Sequence, residues 1–259
     1  IDVKIRERYS GGNNSETNLE WKDILLSEDQ MSFNDNAYKI LLNKLKDKKK
    51  KGRLLDIGCS VGHFMLLAKE SGYEVEGIEL ELEPEARNYA KNQGLIVHGN
   101  KLEDMMFPDK SFDIVALLGV VDHLPRPVEF MKQVNNVLAD DGVILFNGVP
   151  NLNSLAIKVL RHNARVFTGH NHLGYYSIET LKTLLNITGF KLDFYETYVS
   201  CLDSILNYTQ GLDPFGDLNL NYLQNDLADI IRKNYNNIEG FICKFELGYK
   251  IRALATKKR

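Results

Sequence analysis

The sequence predicts an α/β fold built on a doubly wound, mostly parallel sheet. After residue 52, short apolar runs of strand length alternate with stretches of helical spacing, as in sheets whose strands are buried on both faces. Strands that alternate with helices form right-handed βαβ units, so the pattern favours parallel pairing. The runs interpreted as strands are Arg53–Ile57, Glu74–Leu80, Leu95–His98, Phe112–Leu118 and Gly142–Gly148.

Helical spacing marks segments before and between these strands. Asp35–Leu45 is amphipathic and is expected to cover a sheet face or the mouth of a site. Pro84–Asn92 begins with a proline, which suits a first helical turn, and Pro127–Leu138 places apolar residues four apart. The lysine-rich run Lys44–Arg53 is interpreted as a solvated connector, with contact to a phosphate backbone as the alternative.

The C-terminal part adds one helix and two strands. Ser177 is expected to cap a helix over Ile178–Thr188, with Gly189 just past its end. Phe190–Val199 and the alternating tail over residues 245–255 are predicted to close the sheet as an antiparallel hairpin. A polar, partly helical segment of about 212–237 is inserted between them, and its role does not follow from the sequence.

Composition excludes several classes of protein. The 259 residues, 44% hydrophobic and 26% charged, fit one globular domain and exclude a disordered or fibrous chain. A net charge of −3 gives no overall attraction to nucleic acid or to an anionic membrane. No apolar run approaches the roughly 20 residues of a membrane span, and no charged-then-apolar leader opens the sequence. Three widely spaced cysteines form neither a disulfide framework nor a zinc pattern, so we expect the cytoplasm and no metal.

A turn after the first predicted strand carries the strongest functional signal. Residues 54–64 read LLDIGCSVGHF, a buried strand that enters a glycine-containing turn and then a helix. Gly58 and Gly62 allow a ligand to approach the backbone closely, and the helix start offers free N–H groups. Asp56 repels a pyrophosphate but attracts an amine, and Glu79, at the end of the second strand, suits ribose hydroxyls. The turn therefore predicts a nucleotide-like cofactor that bears an amine.

Further motifs follow this turn in a fixed order. Ser60 replaces the second glycine of the dinucleotide fingerprint, which disfavours a nicotinamide cofactor and leaves an oxidoreductase as a weaker alternative. From about Arg53 to Phe190 the sequence resembles the class I S-adenosylmethionine-dependent methyltransferases. Phe107–Asp113 is similar to that family's turn into the fourth strand, and Asp122-His123-Leu124 is similar to its acidic-His-Leu segment. The resemblance implies a Rossmann-like, seven-stranded, mostly parallel sheet with a C-terminal antiparallel strand.

The same resemblance implies S-adenosylmethionine as the cofactor and a set of residues that hold it. Glu79 corresponds to the acidic residue that binds the ribose, and Asn100 stands where the family often has an aspartate beside the adenine. Gly119 lies where the family's chain passes the methionine part. The implied cofactor-binding residues are Asp56, Gly58, Ser60, Gly62, Glu79, Leu80, Asn100, Lys101 and Gly119.

Residues 149–176 are predicted to form a substrate lid, because they are too long for a plain connector. In methyltransferases of the ubiquinone-biosynthesis type, a similar His-containing stretch precedes a helix start like Tyr176–Leu181. His172, and after it His170, is the candidate base or acceptor-orienting group, and bracing of the lid is the alternative. The candidate acceptor-binding residues are Asn151, Arg161, Arg165 and Tyr176.

The sequence thus predicts a single domain over 1–259, with a helical cover (1–52), a cofactor-binding core (53–148), the lid (149–176) and a C-terminal part (177–259). We expect a methyltransferase that acts on a small molecule, and on oxygen, because the Asn/Asp-Pro-Pro-Tyr/Phe tetrapeptide of some nitrogen-methylating enzymes is absent. Cations without acidic neighbours in the lid indicate an anionic acceptor such as a carboxylate, a phosphate or a nucleotide-linked sugar, with a solvated helix face as the alternative. A non-catalytic module of the same fold is the other alternative, and no nucleic-acid or membrane partner is expected.

Overall fold

Seven strands build the centre of the computed structural model, which describes residues 28–80, 84–164, 166–167, 172–214 and 225–258. The strands are β1 (Arg53–Ile57), β2 (Glu74–Ile78), β3 (Ile96–His98), β4 (Phe112–Leu118), β5 (Leu138–Pro150), β6 (Phe190–Tyr198) and β7 (Lys250–Lys257). They form one sheet in the order β3-β2-β1-β4-β5-β7-β6. β1 to β5 pair in parallel, whereas β7 pairs antiparallel with both β5 and β6. The predicted fold class is therefore confirmed.

Helices flank this sheet on both faces. They are α1 (Glu28–Lys46), α2 (His63–Glu70), α3 (Pro84–Asn92), α4 (Pro127–Val137), α5 (Leu155–Leu160), α6 (Ile178–Ile187), α7 (Leu202–Thr209) and α8 (Asn225–Lys244), with 3₁₀ turns at Leu102–Asp104, Val121–His123 and Arg161–Asn163. Ser177 caps α6 as predicted, because its hydroxyl accepts a hydrogen bond from the Thr180 N–H at 3.2 Å. No helix in the described ranges combines the length and the apolar character needed to cross a bilayer.

Two hydrophobic clusters, one on each face, explain the continuous apolar runs. On one face, α1 and α2 bury Leu41, Leu45 and Phe64 against residues of β1 and β4. On the other face, α4 and α6 bury Met131 and Leu181 against the alternate residues of the same strands. A strand covered on both sides loses the polar-apolar alternation of a half-exposed strand. The sheet therefore presents its loops, and not its faces, to ligands.

The C-terminal part differs from the sequence prediction in its boundaries. β7 begins at Lys250, later than the predicted tail strand, and residues 251–255 are all buried because both faces of this central strand are covered. The predicted antiparallel pairing with β6 is present. The connection between them is more helical than expected, since α7 was not predicted and α8 runs on to Lys244, past the predicted end near residue 237. The division of the chain into cover, core, lid and C-terminal part stays a prediction.

The lysine-rich run, which begins in the last turn of α1, forms ion pairs with the rest of the protein. Lys44 Nζ lies 3.3 Å from a carboxylate oxygen of Glu196, and Lys49 Nζ lies 2.6 Å from one of Asp141. The Arg53 guanidinium lies 3.0 Å from Glu76. These contacts favour the connector interpretation over contact with a phosphate backbone.

Candidate functional site

The residues predicted to hold a cofactor meet at one edge of the sheet. Asp56 lies in β1, Glu79 follows β2, Asn100 follows β3 and Gly119 follows β4, and these four strands are neighbours. Because parallel strands end at the same edge, the residues form a continuous line along the carboxyl ends of the strands. This is the edge at which open α/β sheets bind their ligands.

The turn between β1 and α2 depends on its glycines. Gly58 and Gly62 have φ angles of 75° and 84°, in the left-handed region that side chains rarely adopt. A Cβ on Gly58 would lie 2.6 Å from Val120, and a Cβ on Gly62 would lie 2.5 Å from Leu95. Gly62 caps α2 without a side-chain hydrogen bond, so the first N–H groups of the helix face the turn. Neither glycine position therefore has room for a side chain, and the turn depends on both.

Asp56 is a buried acid whose hydrogen bonds are incomplete. Its side chain is only 1% exposed, and within the described ranges its Oδ1 has no hydrogen-bond partner. Burial, and then the negative charge of Glu79, raise the pKa of Asp56 well above its ordinary value. A buried carboxylate without donors is costly, and a positively charged amine beside it removes that cost. The residue thus fits the amine-bearing cofactor predicted from the sequence.

Replacing Asp56 by Asn should stabilise the protein without ligand and weaken cofactor binding. Because the pKa of Asp56 is raised in the folded protein, its ionisation destabilises the fold at pH values above the pKa of the unfolded chain. Asp56→Asn removes this cost, so the free energy of unfolding should rise by about 1–2 kcal/mol at pH 7. The gain should vanish as the pH falls toward about 4, where the carboxyl group is protonated in the unfolded chain as well. Urea unfolding at several pH values measures this gain. A variant that is less stable than the parent at pH 7 would contradict the interpretation.

Glu79 and its neighbours offer polar and apolar contacts along the same edge. The Ser60 N–H donates a hydrogen bond of 2.8 Å to Glu79 Oε2, and Ser60 itself has a φ of 50°. Leu80 is 50% exposed, and Asn100 and Lys101 are also exposed. Lys101 makes a long ion pair of 3.8 Å with Glu103. Glu79 therefore holds the turn through one oxygen, and its side chain is partly exposed at the edge predicted to bind the cofactor.

Gly119 marks open space at the end of β4. Its φ is 69°, and among the described residues no atom beyond its two chain neighbours lies within 4 Å of the point where a Cβ would stand. Its N–H donates to the Asn147 carbonyl of β5 at 2.8 Å, which fixes the backbone there. The chain thus leaves room beside Gly119 for a ligand that reaches along the edge from Asp56.

Next to Gly119, the structure brings together Asp122, His123 and His172. His172 Nε2 lies 3.3 Å from Asp122 Oδ2, and His123 Nε2 lies 3.6 Å from the same oxygen. His172 Nδ1 lies 2.9 Å from the Val166 carbonyl, and the N–H groups of residues 173 and 174 donate to the Asp122 carbonyl. Asp122 was not among the predicted site residues, although its place in the acidic-His-Leu segment could have indicated it. We call these three residues the Asp-His-His cluster.

The predicted acceptor-binding residues have different surroundings. Asn151 is fully buried, and its amide group donates to the carbonyls of Glu246 and Gly248 at 2.9 and 2.8 Å. Tyr176 is also buried, and its hydroxyl donates to the Val121 carbonyl at 3.4 Å. Both side chains bind backbone carbonyls, and contact of either one with an acceptor stays a prediction. Arg161 is exposed, whereas Arg165 and His170 lie outside the described residues.

A buried polar network behind β5 was not predicted. Arg252 is 3% exposed, and its guanidinium donates to Asn147 at 2.9 Å and to Glu196 at 2.8 Å. The Tyr198 hydroxyl accepts the Gly148 N–H at 2.9 Å, and burial raises the pKa of Tyr198 to about 12. These groups fix the end of β5 beside Gly119. They come from strands far apart in the chain, so no local sequence pattern predicts these contacts.

Comparison with known proteins agrees with this architecture. Residues 32–193 match Methyltransf_23, a methyltransferase domain. A ubiquinone biosynthesis O-methyltransferase from Histophilus somni is 28% identical over 116 residues, which are 41% of this chain and 47% of that protein. The chain therefore spans about half the length of the curated relatives it matches.

Solved structures support the fold. A SAM-dependent methyltransferase from Archaeoglobus fulgidus aligns with a TM-score of 0.56 and 22% identity, covering 86% of this chain and 94% of that one. Magnesium protoporphyrin IX methyltransferase from Synechocystis, solved with bound S-adenosylhomocysteine, has a TM-score of 0.56 and 15% identity, covering 98% and 94%. The chain belongs to the methyltransferase-domain family, which confirms the family resemblance predicted from the sequence.

Proposed function

We propose that this protein transfers the methyl group of S-adenosylmethionine to an oxygen atom of a small, anionic molecule. The observation that carries the proposal is the Asp-His-His cluster, which begins three residues after Gly119 at the carboxyl end of β4. The name of the Histophilus somni relative, an O-methyltransferase, agrees with oxygen as the methylated atom. The cytoplasm remains the proposed location, since three cysteine thiols fit a reducing compartment.

The cofactor is proposed to lie along the line from Asp56 to Asn100. Asp56 would bind its amine directly or through water, and Glu79 would accept hydrogen bonds from the ribose hydroxyls. Leu80 and Asn100 would meet the adenine, while Gly58, Ser60 and Gly62 would let the backbone approach the ligand. Gly119 would border the methionine part. S-adenosylmethionine supplies a methyl carbon that its sulfonium sulfur has already activated.

The protein's own part in the reaction is alignment, exclusion of water and removal of a proton. An acceptor hydroxyl must lose its proton as the oxygen–carbon bond forms and the carbon–sulfur bond breaks. The Asp-His-His cluster is the polar group placed to hold that hydroxyl and to ease the loss of its proton. The lid segment around Leu173 is held against Asp122 by backbone hydrogen bonds, which keeps it over the cluster.

An anionic acceptor is proposed because the lid carries exposed cations. Lys158 and Arg161 are exposed, and within the described ranges neither forms an ion pair. Unpaired cations near a site entrance raise the local concentration of an anionic ligand. Turnover of S-adenosylmethionine to S-adenosylhomocysteine, measured over phenols, hydroxycarboxylates and sugar phosphates, tests the proposal. Binding of S-adenosylhomocysteine with no turnover on any acceptor would instead favour a non-catalytic module.

Charge reversal at Arg161 should raise KM for the anionic acceptor. We expect Arg161→Glu to raise that KM by roughly 3- to 10-fold with little change in kcat, because the effect is long-range attraction. Raising the salt concentration should shrink the difference. Lys132→Glu is the matched control, since Lys132 is exposed on α4, outside the lid. An unchanged KM in the Arg161 variant would place this residue on a plain solvated face.

A further inference from the structure

We propose that Asp122, His123 and His172 bind one divalent metal ion, of the kind that accepts nitrogen and carboxylate ligands, such as Zn²⁺, Mn²⁺ or Fe²⁺. This inference rests on the proposed function and specifies how the Asp-His-His cluster acts on the acceptor. The sequence shows no metal pattern, because the lid supplies His172 from fifty residues beyond Asp122. Only the fold brings the three side chains together.

The first argument concerns the proton on His172. A carbonyl oxygen only accepts hydrogen bonds, so Nδ1, at 2.9 Å from the Val166 carbonyl, carries the hydrogen. Nε2 is then the ring nitrogen turned toward the Asp122 carboxylate, at 3.3 Å from its Oδ2. A metal ion between these two atoms would be coordinated by both. Metal-binding histidines commonly have such an Nδ1–H bond to a backbone carbonyl, which fixes the ring and its tautomer.

The second argument concerns the spacing of the ligand atoms. One ligand atom from each of the three residues lies within 4.8 Å of the others. The Asp122 Oδ2 atom is 3.3 Å from His172 Nε2 and 3.6 Å from His123 Nε2. Ligands bound at about 2.0–2.2 Å from one ion are separated by roughly 3–3.6 Å. Small side-chain adjustments are therefore enough to close the site around an ion.

The third argument concerns the charge of Asp122. This residue is 1% exposed, and its Oδ1 has no hydrogen-bond partner among the described residues. Within the described residues, no lysine or arginine forms an ion pair with Asp122, whose charged neighbours are His123 and His172. Two nitrogen ligands and one carboxylate leave further positions of an ion open. Those positions would suit an oxygen of the acceptor, whose hydroxyl proton would then pass to solvent.

Metal binding is tested on the full-length protein after removal of metals with EDTA. We expect one equivalent of Co²⁺ to bind and to show the visible absorption bands of a Co²⁺ ion with a low coordination number. Mass spectrometry should find a divalent metal in protein purified without chelator. His172→Gln and Asp122→Asn should weaken Co²⁺ binding by at least about 10-fold. His162→Gln is the matched control, because His162 is exposed elsewhere in the lid, and it should bind Co²⁺ like the parent.

Calorimetric titration with S-adenosylhomocysteine and circular dichroism accompany each variant as checks on folding. If the parent protein binds S-adenosylhomocysteine but no Co²⁺, or if His172→Gln and the parent bind Co²⁺ equally, the metal site is overturned and the proposed function stands. If folded parent protein binds Co²⁺ at this cluster but not S-adenosylhomocysteine, the proposed function fails while the metal site survives. A His172 that NMR shows to be doubly protonated at neutral pH, in the presence of Zn²⁺, also overturns the metal site.

Discussion

Replacing His172 by Ala should lower kcat by about 10²- to 10⁴-fold while leaving the affinity for S-adenosylhomocysteine within about 2-fold. The side chain lies 3.3 Å from the buried carboxylate of Asp122, so its loss removes the group proposed to meet the acceptor hydroxyl. The cofactor edge from Asp56 to Asn100 does not include it. Steady-state kinetics with the best acceptor, and calorimetry with S-adenosylhomocysteine, measure the two effects separately.

His162→Ala is the matched control for this experiment. Both histidines lie in the lid, but His162 is exposed in the short 3₁₀ turn after α5. The His162→Ala variant is therefore expected to have the turnover of the parent protein. Equal turnover in the His172 and His162 variants would remove His172 from the reaction. Equal losses of turnover and of S-adenosylhomocysteine affinity in the His172 variant would instead point to a displaced lid.

Replacing Glu79 by Ala should weaken binding of S-adenosylhomocysteine by about 10- to 100-fold. Hydrogen bonds to a charged group contribute about 1.5–3 kcal/mol each, and the substitution removes the acceptor proposed for the ribose. It also removes the oxygen that accepts the Ser60 N–H at 2.8 Å, so the glycine turn loses a support. Titration calorimetry measures the change directly.

Two further variants separate the ribose contact from the support of the turn. Glu79→Gln keeps an oxygen for the Ser60 N–H but loses the charge, so its affinity should fall between those of the parent and the Ala variant. Glu76→Gln is the control, since Glu76 lies in β2, three residues before Glu79, but pairs with Arg53 and His98. Unchanged affinity in Glu79→Ala would refute the assignment of this carboxylate to the cofactor.

The fold was predictable because the residues that determine each strand and turn lie close together in the sequence. The apolar runs of β1 and β4 and the glycine turn at Gly58 and Gly62 lie within short stretches of chain, where period and spacing show the structure directly. The same holds for Asp56 and Glu79, which follow from their positions at strand ends. Since parallel strands place their carboxyl ends together, the line of predicted cofactor residues could be drawn from the sequence alone.

The acceptor side was less predictable because its contacts join distant parts of the chain. Asn151 was expected near the acceptor, but it is buried under the carbonyls of Glu246 and Gly248, and no local pattern reveals that pairing. Asp122 and His172 meet only when the lid folds back over the end of β4. The unpredicted helix α7 likewise packs against α5, a contact between segments far apart in sequence.

The position of β7 between β5 and β6 bears on how the chain folds as it leaves the ribosome. The first five strands and their helices are complete once β5 has emerged, but Pro150 of β5 pairs with Lys250, which is made one hundred residues later. Until then β5 is an unprotected edge with an apolar sequence, the kind of surface that recruits other nascent chains. Chaperone dependence should therefore be greatest during synthesis of the segment between these two strands.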